Sequence, residues 1–284
     1  MNQPDFILSI SCPDRRGIVA EVSRFLFERN CNILDSQQFG DRDNGRFFLR
    51  VHCLSEGGIG IAWLEKEFQP LAEKFAMQAQ FFDKTRKSRG LIMVSKFGHV
   101  LVDLLYRVRI GAIALDVPLI VSNHLDYEDV AAANNIPFVH LPMTRENKAE
   151  QEARLAALIQ EHRIDLVVLA RYMQILSGDF CKARLGRIIN IHHSFLPSFK
   201  GANPYTQAHE RGVKLIGATA HYVTGDLDEG PIIEQSVERV THALAPDDYV
   251  SVGRDIESRT MARAVKWHCE HRILLNGRKT VVFA

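Results

Sequence analysis

The feature that most constrains this chain is an alternation of short apolar runs with helical segments between residues 91 and 191. The runs are rich in Val, Ile and Leu, which is typical of parallel strands buried on both faces. Such an alternation predicts an α/β domain built on a doubly wound, mostly parallel sheet. The predicted strands are Leu91–Ser95, Ile113–Val121, Phe138–Leu141, Leu166–Ala170 and Ile188–Ile191, with helices over Val100–Val108, Tyr127–Asn134, Lys148–His162 and Tyr205–Arg211.

The part that follows contains two further strand patterns, Ala218–Val223 and Pro231–Val240. A long amphipathic stretch from Asp247 to about Leu275 predicts a final helix. In sheets of this type ligands bind beyond the carboxyl ends of the strands. Polar residues that directly follow these strands are therefore the first candidates for a functional site.

The first 82 residues follow a different order. Their apolar periods predict strand, helix, two strands, helix and strand, which is the ferredoxin-like split βαβ unit. The polar run 83–90 has no apolar period, so we place the boundary there and expect domains at 1–85 and 86–284. The elements are Phe6–Ser11, Gly17–Arg29, Ile33–Phe39, Arg46–Leu54, Ile61–Lys74 and Met77–Phe82.

Composition excludes several classes of partner. The chain is 46% hydrophobic and 24% charged, with a formal net charge of +1 spread along its length. This balance offers no basic surface for nucleic acid or an anionic membrane, and favours a small-molecule ligand. The N-terminus has no signal-peptide pattern, so we expect a cytoplasmic location. The five cysteines are widely spaced and are interpreted as reduced thiols.

The strongest candidate site follows the strand at 188–191. Side chains on a strand alternate, so Asn190 and His192 point to the same side. The Asn190 amide can donate to an oxygen that becomes negative when a carbonyl is attacked, and His192 can exchange a proton near neutral pH. Together they predict a site for acyl chemistry.

A second polar cluster lies between the two late strands, at 224–231. An aspartate here can reach the histidine and orient its ring, as the third member of a catalytic triad does. The residues alone leave Asp226 and Asp228 as equal candidates. They also leave open a non-catalytic interpretation, in which Asn190 and His192 cap a loop and residues 226–230 form a solvated hairpin.

Metal binding is the competing interpretation of the histidines. The chain has no H-E-x-x-H motif and no cysteine companion at ligand spacing, so we expect no metal. Ser194 lacks the glycine-flanked turn of a nucleophilic serine. The histidines considered are His192, His193, His209 and His221.

Two motifs carry a family resemblance. Asn-Ile-His-His-Ser-Phe-Leu-Pro at 190–197, with His-Tyr-Val-Thr-Gly-Asp-Leu-Asp-Glu-Gly-Pro-Ile-Ile at 221–233, resembles the folate-dependent formyltransferase and hydrolase superfamily, and within it the deformylase branch. The resemblance covers the chain from about Leu91 onward and implies a Rossmann-like, formyltransferase-type domain.

The resemblance also assigns roles. It implies that Asn190, His192 and Asp228 are catalytic, which selects Asp228 over Asp226. It further implies that the backbone around 170–176 and 225–230 lines a pterin pocket. The expected substrate-binding residues are Arg171, Tyr172, Met173, Ile175, Leu176, Gly225, Leu227 and Gly230.

The implied reaction is hydrolysis of 10-formyltetrahydrofolate to formate and tetrahydrofolate, without a cofactor, in support of one-carbon and purine metabolism. The alternative is formyl transfer to an amino or nucleotide acceptor. The purine-pathway transferase that the domain resembles has a Gly-Ser-Asn loop for its acceptor's phosphate. Residues 95–99 instead read Ser-Lys-Phe-Gly-His, so water is favoured as the acceptor.

The opening motif at 12–19, Cys-Pro-Asp-Arg-Arg-Gly-Ile-Val, resembles an ACT domain. This resemblance implies regulation, a homo-oligomer (dimer or tetramer) and an amino-acid effector at the interface, with Asp14, Gly17 and Asn32 as candidate contacts. A non-catalytic amino-acid sensor is the second alternative, disfavoured by the intact catalytic set. The loop 200–205 is a candidate lid or contact for the folate's glutamate tail.

Overall fold

The computed structural model describes residues 4–194 and 204–284. The chain forms two compact units. The first extends to Lys87 and includes Glu270–Asn276 and Val281–Ala284, and the second comprises Ser88–Cys269 and Gly277–Thr280. The division lies two residues beyond the predicted boundary. It also differs from the prediction at the C-terminus, where two short segments belong to the first unit.

The first unit is a four-stranded antiparallel sheet with the strand order β2-β3-β1-β4. Two helices contribute to its core, in which Leu8, Leu26 and Phe68 are almost fully buried. The predicted ferredoxin-like order is confirmed. Its elements are β1 Asp5–Pro13, α1 Ile18–Phe27, β2 Cys31–Asp41, β3 Arg46–Ser55, α2 Ile61–Phe75 and β4 Gln78–Asp83.

The second unit is built on a seven-stranded sheet with the strand order β11-β10-β9-β8-β5-β6-β7. The five strands from β9 to β7 run parallel, and every residue of β8 is buried, as the apolar run at 166–170 predicted. The elements are β5 Ser88–Val94, α3 His99–Arg109, β6 Leu115–Ser122, α4 Glu128–Ala133, β7 Phe138–His140, α5 Lys148–Glu161, β8 Leu166–Ala170, α6 Gly178–Lys182, β9 Ile188–His192, α7 Pro204–Glu210, β10 Leu215–Tyr222, β11 Ile232–Arg239 and α8 Pro246–Cys269.

The end of the chain differs from the prediction. The last helix ends at Cys269, not near Leu275, and the chain continues as a hairpin of β12 (Ile273–Asn276) and β13 (Lys279–Val282). Gly277 in its turn has a φ of 62°, a left-handed conformation that glycine adopts at no steric cost. The helical pattern therefore ends where a turn residue reverses the chain.

The sheet places the site. β5 lies between β6 and β8, because the chain adds β6 and β7 on one side of β5 and then β8 and β9 on the other. Ligand sites of doubly wound folds lie at such switch points, beyond the carboxyl ends of the strands.

Among the helices of the described ranges, none combines the length and apolar character needed to cross a membrane.

Candidate active site

A cavity of about 670 Å³ opens beyond the ends of β8 and β9. Asn190, His192 and Asp228 all line it, and so do the eight residues predicted to bind the folate. The structure therefore brings together two segments, 171–176 and 225–230, that are far apart in the sequence. Their common lining is what a single substrate pocket requires.

Asn190 and His192 are placed by β9. They are alternate residues of this strand, and Asn190 pairs with His221 of antiparallel β10. The strand end is held by Thr219, whose hydroxyl donates to the Ser194 carbonyl at 3.0 Å. The predicted common orientation of the amide and the imidazole is thus built into the β9–β10 ladder.

Asp228 reaches the histidine from the segment that joins β10 to β11. Its Oδ2 lies 3.3 Å from Nδ1 of His192, and its Oδ1 lies 3.7 Å from Nε2 of His221. The hydrogen bond from His192, together with the nearby His221 ring, holds the pKa of Asp228 well below its ordinary value, against the opposing effect of burial. Asp228 has a φ of 57°, in the left-handed region that Asp tolerates better than most residues.

The second nitrogen of His192, Nε2, differs from the first in its surroundings. Nε2 is buried, and none of the residues in the described ranges hydrogen-bonds to it. Because Asp228 engages Nδ1, Nε2 is left to a ligand or a water in the cavity. A buried polar atom of this kind is costly unless a bound group satisfies it.

His221 was missed as a member of the site by sequence reasoning, which considered it only as a metal ligand. Its Nδ1 lies 2.9 Å from the Tyr222 carbonyl, which can only accept, so Nδ1 carries the proton. Nε2 can then accept from the Asn190 amide, 3.2 Å away. His221 thereby orients Asn190 and leaves the second amide N–H for the cavity.

Gly230 allows the 223–231 segment to fold back over the strands. A Cβ at this position would lie 1.7 Å from the Tyr222 carbonyl oxygen, a distance that no side chain can adopt. The Tyr222 amide donates to the Pro231 carbonyl beside it at 2.9 Å. This close contact between backbones sets where Asp228 stands.

The 171–176 segment forms an apolar wall. Buried Ser95 accepts a hydrogen bond from the Met173 amide at 3.0 Å and donates to Asn123 at 2.6 Å, which ties the wall to the end of β5. Met173, Ile175 and Leu227 are more than half exposed around the cavity. An exposed apolar lining of this kind suits a flat aromatic ring.

Arg171 connects the cavity lining to a buried carboxylate. It lines the cavity, but its Nε lies 3.4 Å from the buried carboxylate of Glu257. Glu257 also accepts from the Tyr205 hydroxyl at 2.6 Å and pairs with His99 at 2.9 Å. Burial opposes ionisation, yet these hydrogen bonds and the Arg171 charge leave the pKa of Glu257 below its ordinary value. Glu257 had no signal in the sequence beyond its place in a helix.

His193 lies between His192 and Tyr205, with ring centroids 5.0 and 6.3 Å away. Burial, with the charges of Arg171 and His192, lowers the pKa of His193 to about 4. Its imidazole is therefore neutral at physiological pH.

Within the described ranges, no three His, Cys, Asp or Glu side chains are grouped so as to hold a metal ion.

Comparison with known proteins identifies the family. The formyl transferase model matches residues 88–265, and the ACT domain model matches residues 6–60. The formyltetrahydrofolate deformylase of Corynebacterium sp. (strain P-1) is 46% identical over 277 residues, which cover 97% of both chains. That of Bacillus subtilis is 47% identical over 278 residues, covering 97% of this chain and 93% of the relative. This chain belongs to the formyltetrahydrofolate deformylase family.

A deformylase crystal structure agrees with this assignment. The formyltetrahydrofolate deformylase of Burkholderia mallei superimposes with a TM-score of 0.95 at 49% identity, covering 99% of this chain and 100% of that one. The predicted architecture, an ACT domain followed by a formyltransferase-type domain, is therefore confirmed for this member of the deformylase family.

The predicted effector contacts of the ACT domain are not brought together within one chain. Asp14 lies next to Gly40, whereas Asn32 stands eight residues back along β2, about 26 Å at the rise of a strand. Gly17, with a φ of 92°, precedes α1. Their role in this deformylase-family chain stays a prediction. Of the candidate lid at 200–205, residues 200–203 lie outside the described residues.

Proposed function

We propose that this protein hydrolyses 10-formyltetrahydrofolate to formate and tetrahydrofolate, with Asn190, His192 and Asp228 as the catalytic residues. One observation carries the assignment of roles. His192, whose Nε2 has no hydrogen-bond partner among the described residues, lines the same cavity as Asn190, while ionised Asp228 lies beside Nδ1 of the imidazole. This arrangement suits an attack on a carbonyl carbon.

The reaction begins with the formyl oxygen between two donors, the Asn190 amide and His192. Addition of a water oxygen to the formyl carbon forms a C–O bond and a tetrahedral oxyanion, which these donors stabilise. Asp228 positions the water and the imidazole. The C–N10 bond then breaks as N10 takes a proton from His192, and formate and tetrahydrofolate leave. Of the two water protons, one ends on N10 and the other passes to solvent.

The hydrogen bonding of residues 95–99 favours water as the acceptor. The amide of Gly98, at the start of α3, already donates to the Tyr127 hydroxyl at 2.7 Å. A helix N-terminus attracts a phosphate through such free amides, and here the phenol takes one of them. A Cβ at Gly98 would lie 2.2 Å from the Tyr127 ring, so the loop is closely covered. Transfer to a phosphorylated acceptor is correspondingly disfavoured.

The direct test supplies purified protein with 10-formyltetrahydrofolate and no acceptor. Catalytic release of formate, matched mole for mole by tetrahydrofolate, is expected. If formate appears only when an amine or nucleotide acceptor is added, the protein is a transferase and the proposal fails.

Regulation by an amino acid and assembly into a dimer or tetramer are also proposed, on the basis of the ACT domain. A survey of thermal unfolding midpoints across the amino acids tests the first, because a ligand that binds the folded state raises the midpoint. Sedimentation with and without the amino acid that gives the largest shift tests the second. No shift with any amino acid would contradict the regulatory role.

A further inference from the structure

A second cavity lies beside the active site. It is an open cleft of about 1330 Å³ between α3, α4 and α8, and His99 and Ile256 line it. Arg171 and His193 line the active-site cavity instead. Within the described part of the chain, Glu257 and Tyr205 line neither of these two cavities. Glu257 is hydrogen-bonded to His99 on one side and paired with Arg171 on the other.

The Glu257 carboxylate binds partners from three separate parts of the second unit. His99 starts α3, Arg171 follows β8, and Tyr205 belongs to α7. The Glu257 side chain is 1% exposed, and its two oxygens are both engaged. Gly253, one turn earlier on α8, seats the Tyr205 ring, since a Cβ there would lie 2.2 Å from it. The contacts are those of a packed wall with a buried charge at its centre.

We infer that Glu257 and its partners His99, Arg171 and Tyr205 form a partition that separates the active-site cavity from the second cavity, and so makes the enzyme specific for water. The inference rests on the proposed function and extends it by explaining why water, and not an amine, is the acceptor. An amine as nucleophile must approach the formyl carbon through space that water does not need. The partition closes the side on which the larger cavity would provide that space.

The chemistry differs between the acceptors only in the nucleophile. With an amine R-NH₂, the amine nitrogen forms a bond to the formyl carbon and the C–N10 bond breaks. One amine proton is transferred to N10. The products are the N-formyl amine and tetrahydrofolate. No further reactant is required, so Asn190, His192 and Asp228 can serve either acceptor.

The test measures how the formyl group divides between water and glycinamide. The wild type is expected to give formate alone from 10-formyltetrahydrofolate, even with glycinamide present. Glu257→Ala is expected to raise the share recovered as N-formylglycinamide about tenfold or more over the uncatalysed background. Glu257→Gln, which keeps the volume of the partition, is expected to retain the wild-type division. Asp247→Ala removes an exposed carboxylate from the same helix that lines neither cavity, and serves as the matched control.

The outcomes separate the two proposals. If the wild type releases no formate without an acceptor, the proposed function fails. If it does release formate and folded Glu257→Ala still gives formate alone, or neither product, the partition is refuted, because opening it leaves the catalytic residues in place. Should Glu257→Ala not fold, His99→Ala keeps the Arg171–Glu257 pair and carries the same expectation. An unchanged division in His99→Ala then overturns the inference.

Discussion

The Asn190 amide donates a hydrogen bond to Nε2 of His221, 3.2 Å away on the neighbouring strand. Because Nδ1 of His221 donates to the Tyr222 carbonyl, Nε2 is fixed as an acceptor. The two hydrogen bonds determine which end of the Asn190 amide faces the cavity. His221 thus sets the direction of the proposed oxyanion donor from the neighbouring strand.

Replacing His221 by Leu removes this acceptor and lets the Asn190 amide rotate. We expect kcat to fall by up to about a hundredfold, since small misplacements of a catalytic group have costs of this order. KM should change little. Steady-state kinetics check this, and His221→Gln, whose amide oxygen can accept, should restore part of the loss. Equal activity in the Leu and Gln variants at the wild-type level would contradict the positioning role.

Asn190→Ala removes the proposed oxyanion donor itself. Loss of one such donor costs about a hundredfold to a thousandfold in kcat. Since the contact forms fully only in the transition state, kcat and kcat/KM should fall together. A variant within a fewfold of the wild type, measured by formate release, refutes the role.

Asp228 makes the stability of the folded state depend on pH in the acidic range. Its folded-state pKa is lowered by the hydrogen bond from His192 and by the nearby His221 ring, so the stabilisation is present above the unfolded pKa, about 4. It is lost as the pH falls through the lower folded-state pKa. The midpoint of thermal unfolding of wild type should therefore exceed that of Asp228→Asn at neutral pH, and the gap should narrow below about pH 4. A gap that stays constant through this range argues against the lowered pKa.

Gly230→Ala tests the close backbone contact behind Asp228. The added Cβ would lie 1.7 Å from the Tyr222 carbonyl oxygen, so the segment must move. We expect a loss of about 1–3 kcal/mol in the free energy of unfolding, as for other overpacked sites, together with reduced formate release. Gly178→Ala, whose Cβ would meet Gly225 at an ordinary 3.8 Å, is the control. Equal denaturation midpoints for the two variants would show that the contact relaxes freely.

Removal of metal ions should leave hydrolysis unchanged. In the proposed mechanism Asn190 and His192 stabilise the oxyanion, the role a Lewis acid would otherwise play. Dialysis against a chelator, followed by assay in metal-free buffer, provides the measurement. Loss of activity that returns on adding one divalent cation would contradict the cofactor-free reaction.

Strand alternation predicted the relation of Asn190 to His192 because side chains on one strand follow a fixed period. It could not choose between Asp226 and Asp228, since the path of residues 223–231 depends on the Gly230–Tyr222 contact. The resemblance to a family selected Asp228, which lies beside His192. His221 was missed because its role depends on a cross-strand register that one sequence does not display.

The C-terminal hairpin was missed for another reason. Asn276–Gly277 is among the strongest turn signals for a hairpin, but the helical pattern before it was extended across the turn. Glu257 had no comparable signal. Its importance comes from Arg171, His99 and Tyr205 meeting around one carboxylate, and helical spacing shows nothing of that.

The left-handed backbone at Asp228, with its φ of 57°, limits how this position can evolve. Glycine and asparagine are the other residues that adopt such a conformation most readily, and neither carries a negative charge. Glutamate would keep the charge but lacks the short side chain whose local hydrogen bonds favour the conformation. No single substitution at position 228 therefore keeps both the backbone conformation and the negative charge. A single substitution either strains the backbone or loses the carboxylate, so relatives that use this carboxylate as proposed should keep aspartate here.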